Sequence, residues 1–248
     1  MPNETLLVPS QKTPLCLSLA QCEADVREAQ RLRYKVLGEE LGACLPGTAG
    51  IDSDFFDPFC DHLLVRDGET NEVVGTYCLL PALQAERIGG FYAETEFDLS
   101  GMFPLSPRLV EAGRSCVHPD HRGSAVISLL WAGIGEYMQT RGYEYLIGCA
   151  SLSMADGGHT AAGHYHILKD TYLSPVEWRV RPLSPLPAQP TNQTCIPPLP
   201  PLVKGYLRLG AYICGEPGWN PHFNTADMFM LLPMSRMISR YARHFLRK

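Results

Sequence analysis

Apolar and polar positions change period several times along the chain, and each change marks an element. Residues 15–20 read as a short strand. Val26, Ala29, Leu32, Val36, Leu37 and Leu41 then recur at helical spacing and Gly42 follows, which predicts one helix over 21–41. The runs 62–65 and 73–80 are strands joined by Asp67-Gly68-Glu69-Thr70-Asn71, a hairpin turn. Residues 81–88 read as a short helix or turn, and 91–102 as irregular. The stretch 109–117 is an apolar strand interrupted by Glu111 and Arg114. After a polar turn, Val126, Ile127, Leu129, Leu130, Ile134 and Met138 carry a helix over 125–142. The run 143–150 is a second buried strand, predicted parallel to the first because a helix connects them.

Further on, 159–172 and 202–209 read as helices, the second ended by Gly210, and 211–214 and 227–232 as strands. The proline-rich segment 182–201 is a wrap or linker. A last helix over 235–248 puts Arg236, Arg240, Arg243 and Arg247 on one face and Met237, Ile238, Tyr241 and Phe245 on the other. The expected architecture is one α/β domain over 1–248, with a central mixed sheet flanked by helices.

Composition narrows the function. At 45% hydrophobic and 19% charged the chain buries a sizeable core, and a net charge of -5 gives no footing for nucleic acid. Nine cysteines without a Cys-x-x-Cys pair point to reduced thiols and a cytoplasmic setting. The start MPNETLLVPSQKTPL lacks a basic, then apolar, signal pattern. No run is long enough to cross a bilayer, so membrane contact would be peripheral. His159, His164 and His166 do not share a helical face, and nothing completes a metal set. They read as partly exposed structural histidines.

The strand, turn and helix over 109–131 form a phosphate-type arrangement. The first N–H groups of a helix lack internal partners and carry partial positive charge. Cys116, Val117, His118, Arg122, Gly123, Ser124 and Ala125 would line such a cradle. A plain structural turn is the competing reading. Glu111 and Arg114 favour a site, because charged residues are seldom buried unpaired.

The order of elements resembles the GNAT acyltransferase fold. Arg33-Tyr34-Lys35-Val36, Cys60-Asp61-His62-Leu63-Leu64-Val65 and Gly113-Arg114-Ser115-Cys116-Val117 narrow the resemblance, as do Lys204-Gly205-Tyr206-Leu207-Arg208-Leu209-Gly210-Ala211 and Phe223-Asn224-Thr225-Ala226-Asp227. They are similar to the N-acyl amino acid synthases, and within them to the L-ornithine N-alpha-acyltransferases. The resemblance implies transfer of a (3-hydroxy)fatty acyl group from acyl carrier protein to an amino acid α-amine, with L-ornithine as the implied acceptor and lyso-ornithine lipid as the product. The donor is then the acyl-phosphopantetheine of acyl carrier protein, and no tightly bound cofactor is needed. Where GNAT loops carry small residues, this chain has Ala125 and Ile127, which suits a single phosphodiester rather than coenzyme A.

In that frame Glu111 is the candidate base, with a pKa raised by burial. Arg114 belongs to the same site only if a bulge lies between the two, as similar folds carry. Backbone N–H groups around Cys116 to His118 are candidate oxyanion donors. Tyr206 is the candidate acid, or else a core tyrosine. Arg114 and Arg33 are candidates for the substrate carboxylate, and Asp61, Glu94 and Glu96 for a side-chain ammonium. The basic face of 235–248 would be a solvated face, dock acyl carrier protein, or contact the inner membrane peripherally. A coenzyme A-dependent GNAT acetyltransferase and a non-catalytic acyl-carrier-binding domain are the competing functions.

Overall fold

The computed structural model describes residues 14–45, 48–187 and 197–237. In chain order come β1 (Leu15–Leu19), α1 (Glu23–Arg33), β2 (Asp61–Asp67), β3 (Val73–Pro81), α2 (Ala82–Ile88), β4 (Phe97–Asp98) and β5 (Leu109–Val117). They are followed by α3 (Ser124–Arg141), β6 (Tyr145–Ser153), α4 (His159–Tyr172), β7 (Arg181–Pro182), α5 (Pro201–Leu209), β8 (Tyr212–Ile213), β9 (Gly218–Asn220) and β10 (Thr225–Pro233). The main sheet runs β1-β2-β3-β5-β6-β10-β8, with β9 beside β10. Every pairing is antiparallel except β5 with β6, the pair that α3 connects. The fold is the expected mixed α/β architecture.

Two expectations need adjustment. The helix over 21–41 is α-helical only to Arg33 and continues as a π-helix over Tyr34–Glu40. Gly42, with φ at 70°, ends it, and the N–H groups of Gly42 and Ala43 cap the carbonyls of Gly38 and Leu37. The irregular 91–102 contains a 3-10 turn over Tyr92–Thr95, which becomes important below. The helix expected over 235–248 and the middle of the proline-rich segment lie outside the described residues, apart from a 3-10 turn at Met234–Arg236.

The sheet has two buried faces. On one, Leu63, Val65, Val74, Tyr77, Val110 and Ala112 pack against Val126, Leu130 and Ile134 of α3, and α4 and α5 join the same cluster. On the other, Leu64 and Val73 pack under Ala29 and Leu32 of α1. Leu80, Leu109 and Ile147 meet α2 there. Strand side chains alternate between faces, and β5 breaks that alternation once. Cys78 pairs with Gly113 but Thr76 pairs with Cys116, so β5 holds one residue more than β3 between the two pairs. This is a β-bulge. Leu109 and, beyond the bulge, Cys116 therefore pack on the α1/α2 face, while Val110 and Val117 pack on the α3 face.

Beside the bulge the sheet opens. β6 pairs with β5 only from Leu109↔Tyr145 to Glu111↔Ile147, and then follows β10 alone. At the last point of contact a Cβ on Gly148 would lie 2.4 Å from the carbonyl oxygen of Ala112. Gly148→Ala should force the strands apart and cost about 1–3 kcal/mol. Urea unfolding, with the two midpoints compared, measures it.

Candidate active site

Where β5 and β6 part, a cavity of about 270 Å³ reaches into the sheet, walled by Tyr77, Cys78, Glu96, Glu111, Arg114 and Asp227 among others. Glu111 is 5% exposed. Its carboxylate accepts backbone N–H groups from Tyr92 at 2.7 Å and Ala93 at 2.8 Å, at the start of the 3-10 turn. Burial pushes its pKa up to about 7. The two N–H donors and Arg114 restrain that rise, and Glu94 adds to it.

The bulge brings Arg114 into the same cavity, with its backbone in the left-handed region at φ 52°. For a residue with a Cβ this is a strained conformation, of the kind that concentrates at functional sites. The guanidinium donates to Asp54 at 2.6 Å and lies 3.6 Å from Asp52. It also sits over the rings of Tyr92 and Phe223, at 5.3 and 4.8 Å from their centroids.

Arg33 is placed differently from expectation. It is fully buried and does not line the cavity. Its donors go to Asp52 at 2.9 Å, to Asp57 at 2.7 and 2.8 Å, and to Cys78 Sγ at 3.0 Å. A substrate carboxylate therefore has no access to it. His62 completes the cluster, with Nε2 donating to the Asp57 carbonyl at 3.1 Å and Nδ1 3.4 Å from Cys78 Sγ. Asp57, His62 and Cys78 offer ligand atoms within 4.8 Å of one another. The Arg33 guanidinium already supplies the positive charge there, which disfavours a metal ion.

The three candidate acids separate cleanly. Asp61 accepts from the Tyr137 hydroxyl at 2.6 Å and faces α3, away from the cavity. Glu94 takes the Phe91 N–H at 2.8 Å and caps the 3-10 turn. Glu96 alone lines the cavity, and it meets Asp227 and Asn220 there. Asn220 accepts backbone N–H groups from His222 and Phe223 on Oδ1, so Nδ2 faces the acids. It donates to Glu96 at 2.7 Å and to Asp227 at 3.3 Å. Burial first, and then the Asp227 charge, push Glu96 up to about 9. Sequence reading passed over Asp227 and Asn220. The signal for Asp227 was the one that exposed Glu111: an acid inside the apolar strand TADMFMLLP.

Tyr206 is buried, with its hydroxyl 3.3 Å from that of Tyr77 and its ring edge-on to Trp131. Tyr77 lines the cavity and Tyr206 stands behind it. At the turn, the Cys116 thiol faces the α1 cluster, and burial holds it up to about 12. The N–H of His118 donates to Val74 at 2.8 Å, which removes it from the candidate oxyanion donors. Val117 packs on the α3 face. Gly123 precedes the first residue of α3, Ser124, and Ala125 is exposed. Lys35 lies 2.7 Å from His118 Nε2, and Arg122 pairs with Glu40. Three cationic or titratable side chains thus gather by the N-terminus of α3. Of the histidines read as partly exposed, His164 is instead buried.

Residues 32–132 match the acetyltransferase (GNAT) domain family. FeeM, an N-acyl amino acid synthase from uncultured soil microbes, is similar in fold. Its TM-score is 0.58 at 12% identity, covering 96% of this chain and all of that one. The acyl-homoserine lactone (AHL) synthase LasI gives a TM-score of 0.55 at 12% identity, covering 94% and 95%. Fold and domain match define a protein of the GNAT fold class. The L-ornithine N(alpha)-acyltransferase of Brucella abortus (strain 2308) is 37% identical, covering 92% of this chain and 87% of that one. The enzyme of that name from Rhodobacter capsulatus is 33% identical, covering 94% and 95%. The chain belongs to the L-ornithine N(alpha)-acyltransferase family.

The Arg33 cluster carries its own expectation. Arg33→Met leaves buried Asp57 without its cation, takes from Asp52 the nearer of its two, and should cost about 3–5 kcal/mol. A melting curve near wild type would contradict the assignment of Arg33 as a structural cation.

Proposed function

We propose that the enzyme transfers a (3-hydroxy)fatty acyl group from the phosphopantetheine thioester of acyl carrier protein to the α-amine of L-ornithine, giving lyso-ornithine lipid. The observation that carries this reading is the pair Glu111 and Arg114, a buried acid and a partly buried cation in one cavity. An amine attacks a thioester only as the free base. Glu111 accepts the ammonium proton, directly or through a water, and its raised pKa lets it do so near neutral pH. The amine nitrogen bonds to the carbonyl carbon, the carbon–sulfur bond breaks, and the thiolate leaves. The nitrogen's second proton reaches the thiolate through the Tyr77–Tyr206 hydroxyl pair, which ends as it began, and Glu111 releases the first to solvent. Arg114 holds the acceptor's α-carboxylate alongside Asp54.

Several features favour a carrier-protein donor. Lys35, His118 and Arg122 surround the start of α3, where one phosphodiester would sit. Ile127 stands where a pyrophosphate would need close backbone approach. The donor is a substrate, and no tightly bound cofactor enters the step. The acyl carrier's acidic surface is assigned to the arginines of 235–248, all of which except Arg236 lie outside the described residues. Among the described residues no helix is long and apolar enough to cross a membrane. The location this reading implies is cytoplasmic, with peripheral contact at the inner membrane that receives the product.

Purified enzyme with 3-hydroxyacyl carrier protein and ornithine should give N-acyl-ornithine by mass spectrometry. Glu111→Gln should lower kcat about 10²–10⁴-fold. A base is active as the carboxylate, so wild-type kcat/KM should rise as pH passes upward through about 7. That rise should vanish in the variant. Equal or better kcat/KM with acyl coenzyme A would replace the donor, and undiminished product from Glu111→Gln would remove Glu111 as the base. No product with either donor would favour the non-catalytic binding domain.

A further inference from the structure

Asp227 is 3% exposed, on the cavity-facing side of β10 with Phe229 and Leu231. Among the described residues, its Oδ1 and the Oε2 of Glu96 are buried and have no hydrogen-bond partner. The other oxygens of both acids accept from Asn220. Two carboxylates thus converge on one wall within hydrogen-bonding range of each other, with the Tyr92 hydroxyl beside Glu96. A buried unpaired acceptor is costly, and two neighbouring carboxylates require a proton or a cation between them.

Building on the acyl-transfer reading above, we infer that Glu96, Asp227 and Asn220 form the subsite for the side-chain ammonium of a diamino acid. An alkylammonium brings three donors and one positive charge, which matches two adjoining acceptors and one uncompensated charge. The spacing fits as well. Glu111 is held by the amides of Tyr92 and Ala93, and Glu96 follows Ala93 by three residues, just past the same 3-10 turn. At about 2.0 Å rise per residue this is roughly 6 Å, the reach of a three-methylene arm. Tyr92 also lines the cavity, with the Arg114 guanidinium 5.3 Å from its ring centroid. The acceptor then lies with its α-carboxylate at Arg114, its α-amine at Glu111 and its second amine at the acid pair. A neutral side chain would leave the pair unpaired, which is how the site rejects it. The acid pair keeps one proton, so the ammonium meets a single negative charge.

The test compares ornithine with norvaline, the same skeleton without the side-chain amine, using acyl carrier protein as donor. Wild type should favour ornithine strongly in kcat/KM. In Asp227→Asn and, separately, Glu96→Gln, the ornithine-to-norvaline ratio should fall roughly 30-fold or more, mostly through KM for ornithine. A ratio within twofold of wild type in both variants overturns the subsite, including the case where both substrates lose activity alike. The two variants change different elements, the end of the 3-10 turn and strand β10, so misfolding of one leaves the other decisive. Wild type that acylates both amino acids equally also overturns it while leaving the acyl-transfer reading intact. Wild type that acylates neither overturns both.

Discussion

A guanidinium with no access to water anchors the catalytic half of this molecule. Arg33 comes from the end of α1 and holds Asp52 and Asp57, which belong to the loop that folds back over the sheet. That loop also carries Asp54, and Asp52 and Asp54 are the acids that meet Arg114. The two cations therefore share Asp52, which the deeper one holds at closer range. Buried ion pairs of this kind contribute little net stability relative to apolar packing, but removing one member is severe. Their value here is positional: they fix which way a loop without regular structure presents its carboxylates.

Two acidic environments sit within one cavity and differ for visible reasons. Glu111 is deeply buried, yet two backbone N–H groups and a nearby guanidinium support its charge, and it settles near neutrality. Glu96 has an amide for support and a second carboxylate as neighbour, so it keeps its proton well above neutral pH. One acid titrates near neutrality, and the other stays protonated beside a second carboxylate. Both environments depend on the short 3-10 turn that follows Phe91.

Much of this was legible in the sequence, and the failures have physical causes. Periodicity placed the strands and helices because each buries a face with its own repeat. Glu111 and Arg114 stood out as charges inside an apolar strand, and the bulge they required is present. Asp227 gave the same signal and went unread, because its partners Glu96 and Asn220 are far from it in sequence. Arg33 was misplaced because a helix pattern shows which face is buried but not which acids wait beneath it. Asp61 was misplaced by strand parity. Its neighbour Cys60 borders the cavity, and Asp61 turns to Tyr137 on the other side.

The bulge in β5 has a consequence for how such a site arises. A bulge adds one residue to one strand, bends it and increases its twist. In this sheet that added residue lies where β5 leaves β6 and where Arg114 turns into the opening. A single extra residue in the strand shared by an antiparallel and a parallel pairing thus goes with two things together: a parted β5/β6 edge and a cation turned into the opening. A catalytic cleft in this architecture stands one small insertion away from a closed sheet, with no rearrangement of topology and no new element.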